Sequence, residues 1–140
     1  MTMTFNNLGA FATHLGGLVV GMEHAETVAL RKAAKIVQTE AKRVIGTYEY
    51  GWTPLKPDTI KAKARGDTPL LETGQLRDSI GIKVGIGNAT IGSNEMKAVW
   101  QELGTSRIPP RSFLVAAAKH KQKEVVAEIG KVIISRWRHL

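Results

Sequence analysis

The chain has 140 residues, 43% of them hydrophobic and 23% charged, which is the length of one domain and the composition of a folded rather than a disordered protein. It contains no cysteine, which excludes a disulfide framework, a thiolate zinc site and a cysteine nucleophile. The net charge is +8, and because Glu23 and Glu26 are the only charged residues before Arg31, residues 31–140 carry +10; that balance favours polyanions or an acidic protein surface as partners.

Aromatic residues are only 6%, so aliphatic side chains must build the core. No run of about 18 apolar residues occurs, so no membrane partner is expected. No Lys or Arg precedes Arg31, so the start does not read as a secretory signal.

Residues 1–22 read as an N-terminal arm, flexible or ordered by a partner. Leu8, Phe11, Leu15 and Leu18 have helical spacing, but Gly9, Gly16 and Gly17 weaken a helix there. Residues 23–140 read as one α+β domain. A first helix is predicted over 23–45, with Ala29, Ala33, Ile36, Val37, Ala41 and Val44 on one stripe and Gly46 as the stop. Residues 47–72 form a structured loop, in which Tyr48, Tyr50 and Trp52 stand among Gly51, Pro54 and Pro57. Pro57 suits the first position of a short helix over 57–64.

Thr73 is placed to cap a short helix over 74–79. Ile80, Ile82, Val84 and Ile86 then alternate with Gly81, Lys83, Gly85 and Gly87, a strand with period two. Gly87-Asn88 reads as the loop of a hairpin that sets Ile86 opposite Ala89 and Val84 opposite Ile91. Asn94 is the predicted cap of a helix whose apolar stripe is Met96, Val99, Trp100 and Leu103 and which Gly104 ends. Pro109-Pro110 imposes an extended segment. A last helix over 112–137 starts at Ser112, with Leu114, Ala118, Val125, Ile129, Val132, Ile133 and Trp137 as its stripe. The expected fold class is α+β: long N-terminal and C-terminal helices packed on a small antiparallel β-sheet, with short helices and a structured loop between.

Chemistry is sparse. His14, His24, His120 and His139 show no ligand spacing, so no metal is expected. The stretch Gly85–Gly92 lacks the third glycine of GxGxxG and leads into a strand, so no nucleotide cofactor is expected. No serine sits in a GxSxG elbow. Glu102 stands near Arg107 and Arg111 and reads as a salt bridge, structural or between subunits, rather than a catalytic acid. The chain does not read as an enzyme. The segment 107–140 carries +6, and Lys119, Lys121, Lys123, Arg136 and Arg138 are candidate DNA-facing residues. Trp137 reads as core rather than as a base-stacking side chain.

Three stretches together carry a resemblance. They are Gly51-Trp52-Thr53-Pro54-Leu55-Lys56-Pro57-Asp58-Thr59 followed by lysines; Leu70-Leu71-Glu72-Thr73-Gly74-Gln75-Leu76-Arg77-Asp78-Ser79-Ile80; and Gln101-Glu102-Leu103-Gly104-Thr105 followed by Ile108-Pro109-Pro110-Arg111-Ser112-Phe113-Leu114. In this order the set resembles the phage virion-morphogenesis and tail-completion proteins, over residues 25 to 135. That resemblance implies a non-enzymatic subunit without cofactor, located in the virion at the neck or tail junction and assembled in the host cytoplasm. It implies a homo-oligomeric ring, often of six copies, that completes the tail or joins head to tail. Its neighbours would be a head–tail connector or stopper and a tail terminator or tail tube protein, with genomic double-stranded DNA passing through. The interface residues it points to are Thr73, Arg77, Glu102, Thr105, Arg107, Pro109, Pro110 and Arg111. The alternative from the residues alone is a small basic DNA-binding protein that uses the C-terminal helix.

Overall fold

Small side chains on the first helix decide how closely everything else can approach it. The computed structural model describes residues 7–138. Helix α1 (Leu8–Val44) runs for 37 residues and buries Ala25, Ala29, Ala33, Ala34, Val37, Ala41 and Val44 along one face. Such short side chains allow close packing of neighbouring elements. The predicted stripe is therefore the observed one, apart from a half-buried Ile36.

The start of α1 differs from the expectation. The helix begins at Leu8 rather than at 23, capped by Asn7, whose Oδ1 accepts the Ala10 N–H at 2.7 Å. Gly9, Gly16 and Gly17 each cost about 1 kcal/mol relative to alanine. Extension from an already packed helix needs no new nucleus, which offsets that penalty. Residues 1–6 of the expected arm lie outside the described residues.

After α1 come α2 (Pro57–Ala62) and α3 (Gln75–Ser79), then strands β1 (Gly81–Gly85) and β2 (Asn88–Gly92). Helices α4 (Met96–Leu103), α5 (Leu114–His120) and α6 (Gln122–Arg138) follow. The fold is α+β, with α5, α6 and a two-stranded antiparallel sheet packed against α1. Gln38 Nε2 donates to Ile80 O at 2.7 Å and ties α1 to the start of the hairpin. A lone hairpin is marginal in water, so this packing is what holds it. Phe113, Ile80, Val44 and Pro69 are the largest fully buried side chains.

The hairpin turn lies one residue earlier than expected, which shifts the pairing register by two. Val84 pairs with Ala89 and Ile82 with Ile91, and Ile86-Gly87 forms the loop. Gly87 has φ +72°, a conformation glycine adopts without strain, whereas a Gly87-Asn88 loop would ask it of Asn88 as well. A slip of two keeps the same side chains on the same face, so the apolar face survives. Ile86 alone leaves it, 99% exposed at the tip.

Two apolar stripes face differently from the prediction. On α4 it is Ala98 that is buried, while Met96, Val99, Trp100 and Leu103 are half or more exposed. The inward face of α4 carries Glu102 four residues after Ala98, because that carboxylate is needed at the next helix. The predicted cap Asn94 is also displaced: Glu95 is the N-cap, and its N–H donates to Ser93 Oγ at 3.0 Å. The single helix predicted over 112–137 is two, turned at Lys121, although Val125 N still donates to Lys121 O at 2.9 Å. Leu114, Val125, Ile129, Val132 and Ile133 are half-buried, Ala117 replaces Ala118 inside, and Trp137 is 66% exposed rather than core.

One buried acid locks α1 to the loop that follows it. Glu40 is 5% exposed and accepts from Arg43 Nε at 2.9 Å, Arg43 Nη2 at 2.8 Å and Tyr50 Oη at 2.8 Å. The Arg43 hydrogen bonds, followed by the Tyr50 bond, outweigh burial and hold the Glu40 carboxyl at about 2, below its ordinary 4.5. Burial, with the Glu40 bond, pushes the Tyr50 phenol up. The same Tyr50 ring stacks on His120 with centroids 4.2 Å apart, so α5 is held to the loop as well.

A group depressed in the folded state stabilises fully above its unfolded value and loses that contribution as pH falls toward its folded value. Stability is therefore expected to drop as pH falls from 4.5 toward 2, with Glu40 a main source. Acid titration of Glu40→Gln, followed by far-ultraviolet circular dichroism, should give a shallower drop and a loss of about 2 kcal/mol at neutral pH.

Candidate functional site

The three stretches that carry the resemblance are far apart in sequence and meet around one cleft. Its lining includes residues 53–56 of the loop after α1, Glu72 to Leu76 at the start of α3, and Lys97, Gln101, Arg107, Ile108, Pro109 and Arg111. The cavity is about 540 Å³. What brings the stretches together is the anchoring of the loop between α4 and α5.

Glu102 is the anchor. Its Oε2 accepts the N–H of Phe113 and of Leu114, each at 2.9 Å, and its Oε1 accepts the Val115 N–H at 3.0 Å. Ser112 Oγ donates to the same carboxylate at 2.6 Å and in turn accepts the Ala116 N–H at 3.2 Å. The first turn of a helix leaves its amides without intrahelical partners, and a carboxylate there meets both those donors and the positive end of the helix. Ser112 does cap, as predicted, but as the junior partner of an acid from another element. The expected pairing of Glu102 with Arg107 or Arg111 is corrected: among the described residues neither arginine forms an ion pair with it.

The loop between Glu102 and Ser112 is tight. Gly104 has φ +76°, and a Cβ there would lie 2.8 Å from Pro110 N and 2.9 Å from Pro110 Cδ. Thr105 Oγ1 accepts the N–H of Arg107 at 3.1 Å and of Ile108 at 3.2 Å, and Thr105 N donates to Ile108 O at 2.9 Å. Thr105 and Pro110 thus shape the loop, while Pro109 and Arg107 reach the cleft.

Arg111 continues the clamp toward the first stretch. It is 6% exposed, its Nε and Nη2 donate to Thr53 O at 3.1 and 2.8 Å, and its N–H donates to Gln101 O at 2.7 Å. Trp52 Nε1 donates to Ser112 O at 3.1 Å beside it. Arg111 is therefore a buried cation at the inner side of the cleft.

The second stretch supplies the opposite wall. Thr73 Oγ1 accepts the Gln75 N–H at 3.3 Å, so Thr73 caps α3 as predicted, one residue outside the N-cap Gly74. Lys63 Nζ donates to Leu71 O at 2.8 Å and pairs with Glu72 at 3.2 Å. The Ala64 N–H and then Lys63 hold the Glu72 carboxyl below the ordinary value. Lys97 Nζ donates to Gln75 Oε1 at 2.8 Å, joining α4 to α3. Arg77 is not among the lining residues and reaches its neighbour Asp78 at 3.5 Å.

Leu70, another lining residue, has φ +65°, a strained backbone for a branched side chain. Nothing in the sequence signals it. Lys97 and Gln101 were also missed, although four residues apart on a helix they share a face. The basic residues of the C-terminal helices lie elsewhere. Lys119, Lys123 and Arg138 are exposed, Lys121 pairs with Glu124 at 3.0 Å and stands 4.0 Å from Glu40, and the side chain of Arg136 lies outside the described residues.

Among the described residues no cluster of three or more His, Asp or Glu side chains is arranged to hold a metal ion. No protein-family model matches the chain, and neither the curated proteins nor the solved structures contain a similar one.

Glu102→Ala should destabilise the protein by about 2–3 kcal/mol, because three backbone amides and a hydroxyl lose their acceptor at once. Glu102→Gln should lose about half as much, and chemical denaturation of both variants checks the order. Gly104→Ala should cost about 2 kcal/mol or more through the collision with Pro110.

Proposed function

We propose that this chain is a structural subunit of the neck or tail junction of a tailed bacteriophage. Copies close a ring, six being the expected number, that completes the tail or joins head to tail and lets double-stranded DNA pass. A connector or stopper on one side and a tail terminator or tail tube on the other are the docking partners. The reading rests on the order and content of the three sequence stretches, and one physical observation carries it further. Two apolar faces are exposed on different elements: Met96, Val99, Trp100 and Leu103 on α4, and Val126, Ile134 and Trp137 on α6. Apolar surface of this kind marks interaction sites. A ring needs two different faces, since one side of each subunit meets the other side of the next. The outer edges of the β1–β2 hairpin are a further place for a neighbour to pair.

A DNA-binding role for the C-terminal helices is the second reading. It is favoured by the exposure of Lys119, Lys123, Trp137 and Arg138, an aromatic side chain among cations.

Native mass spectrometry over a concentration range, with and without short duplex DNA, separates the two. A discrete ring-sized oligomer that ignores DNA is the expected result. Trp100→Glu with Leu103→Glu should then return it to monomers without loss of helix content, since both side chains are exposed. A monomer that loads DNA in rising stoichiometry, with an affinity that falls steeply as salt increases, would put the DNA-binding reading first.

A further inference from the structure

The cleft carries more positive charge than it neutralises. Lys56, Lys63, Lys97, Arg107 and Arg111 line it, and Glu72 is the only carboxylate among the lining residues. Lys63 takes Glu72 as its partner at 3.2 Å. Arg111, 6% exposed, has a carbonyl but no counter-ion among the described residues, and a buried charge without one is expensive. Lys56 and Arg107 are exposed and make no ion pair among the described residues.

A second observation comes from the same wall. Gln101 Oε1 is buried and has no hydrogen-bond partner, the one such side-chain atom among the described residues, and Gln101 lines the cleft. A native structure rarely leaves a buried polar atom unpaired, and doing so costs about 1–3 kcal/mol. The cleft therefore presents unmatched cations, and the buried Gln101 oxygen lies unpaired in its wall. The lining also includes the apolar side chains of Pro54, Leu55, Leu76 and Ile108.

We propose that this cleft is the docking site for an extended acidic segment of a different protein. A carboxylate side chain of that segment meets Arg111, with Arg107 and Lys56 at the rim. A polypeptide carrying Asp or Glu brings such a carboxylate together with an extended backbone that lies along the apolar lining. At about 540 Å³ the cavity falls within the range of about 300–1,000 Å³ typical of ligand clefts. The occupant is not a second copy: the 12 Asp and Glu residues of this chain are scattered, no two of them adjacent, so it offers no acidic segment. The proposal is independent of ring closure, which uses the apolar faces of α4 and α6.

The test is titration of the ¹⁵N-labelled full chain with poly-L-glutamate, read by amide chemical shifts, with duplex DNA in a parallel titration. Lys56→Glu with Arg107→Glu reverses two exposed rim charges. Lys119→Glu with Lys123→Glu makes the same change of charge away from the cleft. Poly-L-glutamate should shift residues 53–56, 97–101 and 107–111, including the Gln101 side-chain amide. The rim variant should weaken binding at least about tenfold, or 1.4 kcal/mol, while the remote variant changes it by less than about twofold. Equal weakening by both charge variants, shifts confined to α5 and α6, or tighter binding of DNA than of polyglutamate by the cleft would each overturn the proposal. So would an oligomer of the wild-type chain that the rim variant dissolves.

Discussion

One carboxylate from α4 completes the start of α5, and the functional surface follows from that bond set. Glu102 accepts three backbone amides and the Ser112 hydroxyl at distances of 2.6 to 3.0 Å. A local cap such as a serine satisfies one or two amides of its own helix. A cap from a neighbouring helix also fixes the angle and register between the two. Ten residues separate Glu102 from Ser112, so the chain between them must fold back on itself. Gly104 permits the return because no Cβ stands against Pro110. The return carries Arg111 to the carbonyl of Thr53 and presents the Ser112 carbonyl to Trp52. The loop after α1 is thereby held against the start of α5 by bonds that follow from the Glu102 cap, and the Lys97–Gln75 bond joins α4 to the α3 wall across the same cleft.

The long first helix sets the other constraint. Its buried face is mostly alanine, so the core is thin, and a chain with 6% aromatics has few large side chains with which to fill it. Phe113 and Ile80 take the fully buried positions. Met96, Val99 and Leu103 of α4 and Val126 and Ile134 of α6 then remain outside. Burying apolar surface gains roughly 25 cal/mol per Å², so such exposure leaves stabilisation unclaimed by the subunit and open to an assembly. Association has its own entropic penalty, which a pre-ordered helix face reduces.

The sequence made the framework legible and left the directions of faces less so. The stripe of α1 was readable because Ala29, Ala33, Ile36, Val37, Ala41 and Val44 recur at helical spacing with cations mostly off the stripe, although Ala25 and Ala34 join the buried face. The caps at Thr73 and Ser112 and the stops at Gly46 and Gly104 were readable from local chemistry. The hairpin was readable in its face but not in its turn, since a shift of two residues leaves the alternating pattern unchanged. The stripe of α4 misled, because apolar spacing reports a coherent face and not whether the subunit or a partner covers it. Trp137 misled for the same reason. The role of Glu102 lay beyond reach: its acceptors' partners are backbone amides eleven to thirteen residues away, which carry no side-chain signal. The strained Leu70 had no signal either, being neither glycine nor asparagine.

The same geometry explains why a cation can stay buried at Arg111. Two of its N–H groups hold the Thr53 carbonyl, which orients the guanidinium without neutralising it. The charge is tolerable while the cleft stays open to water on one side. Any occupant that fills the cleft removes that water and must replace what the water supplied. An apolar segment would strand Arg111, and a basic one would add repulsion from Lys56, Lys97 and Arg107. The cleft thus excludes most polypeptide surfaces by the charge it leaves unpaired, and it admits those that bring a carboxylate to that place.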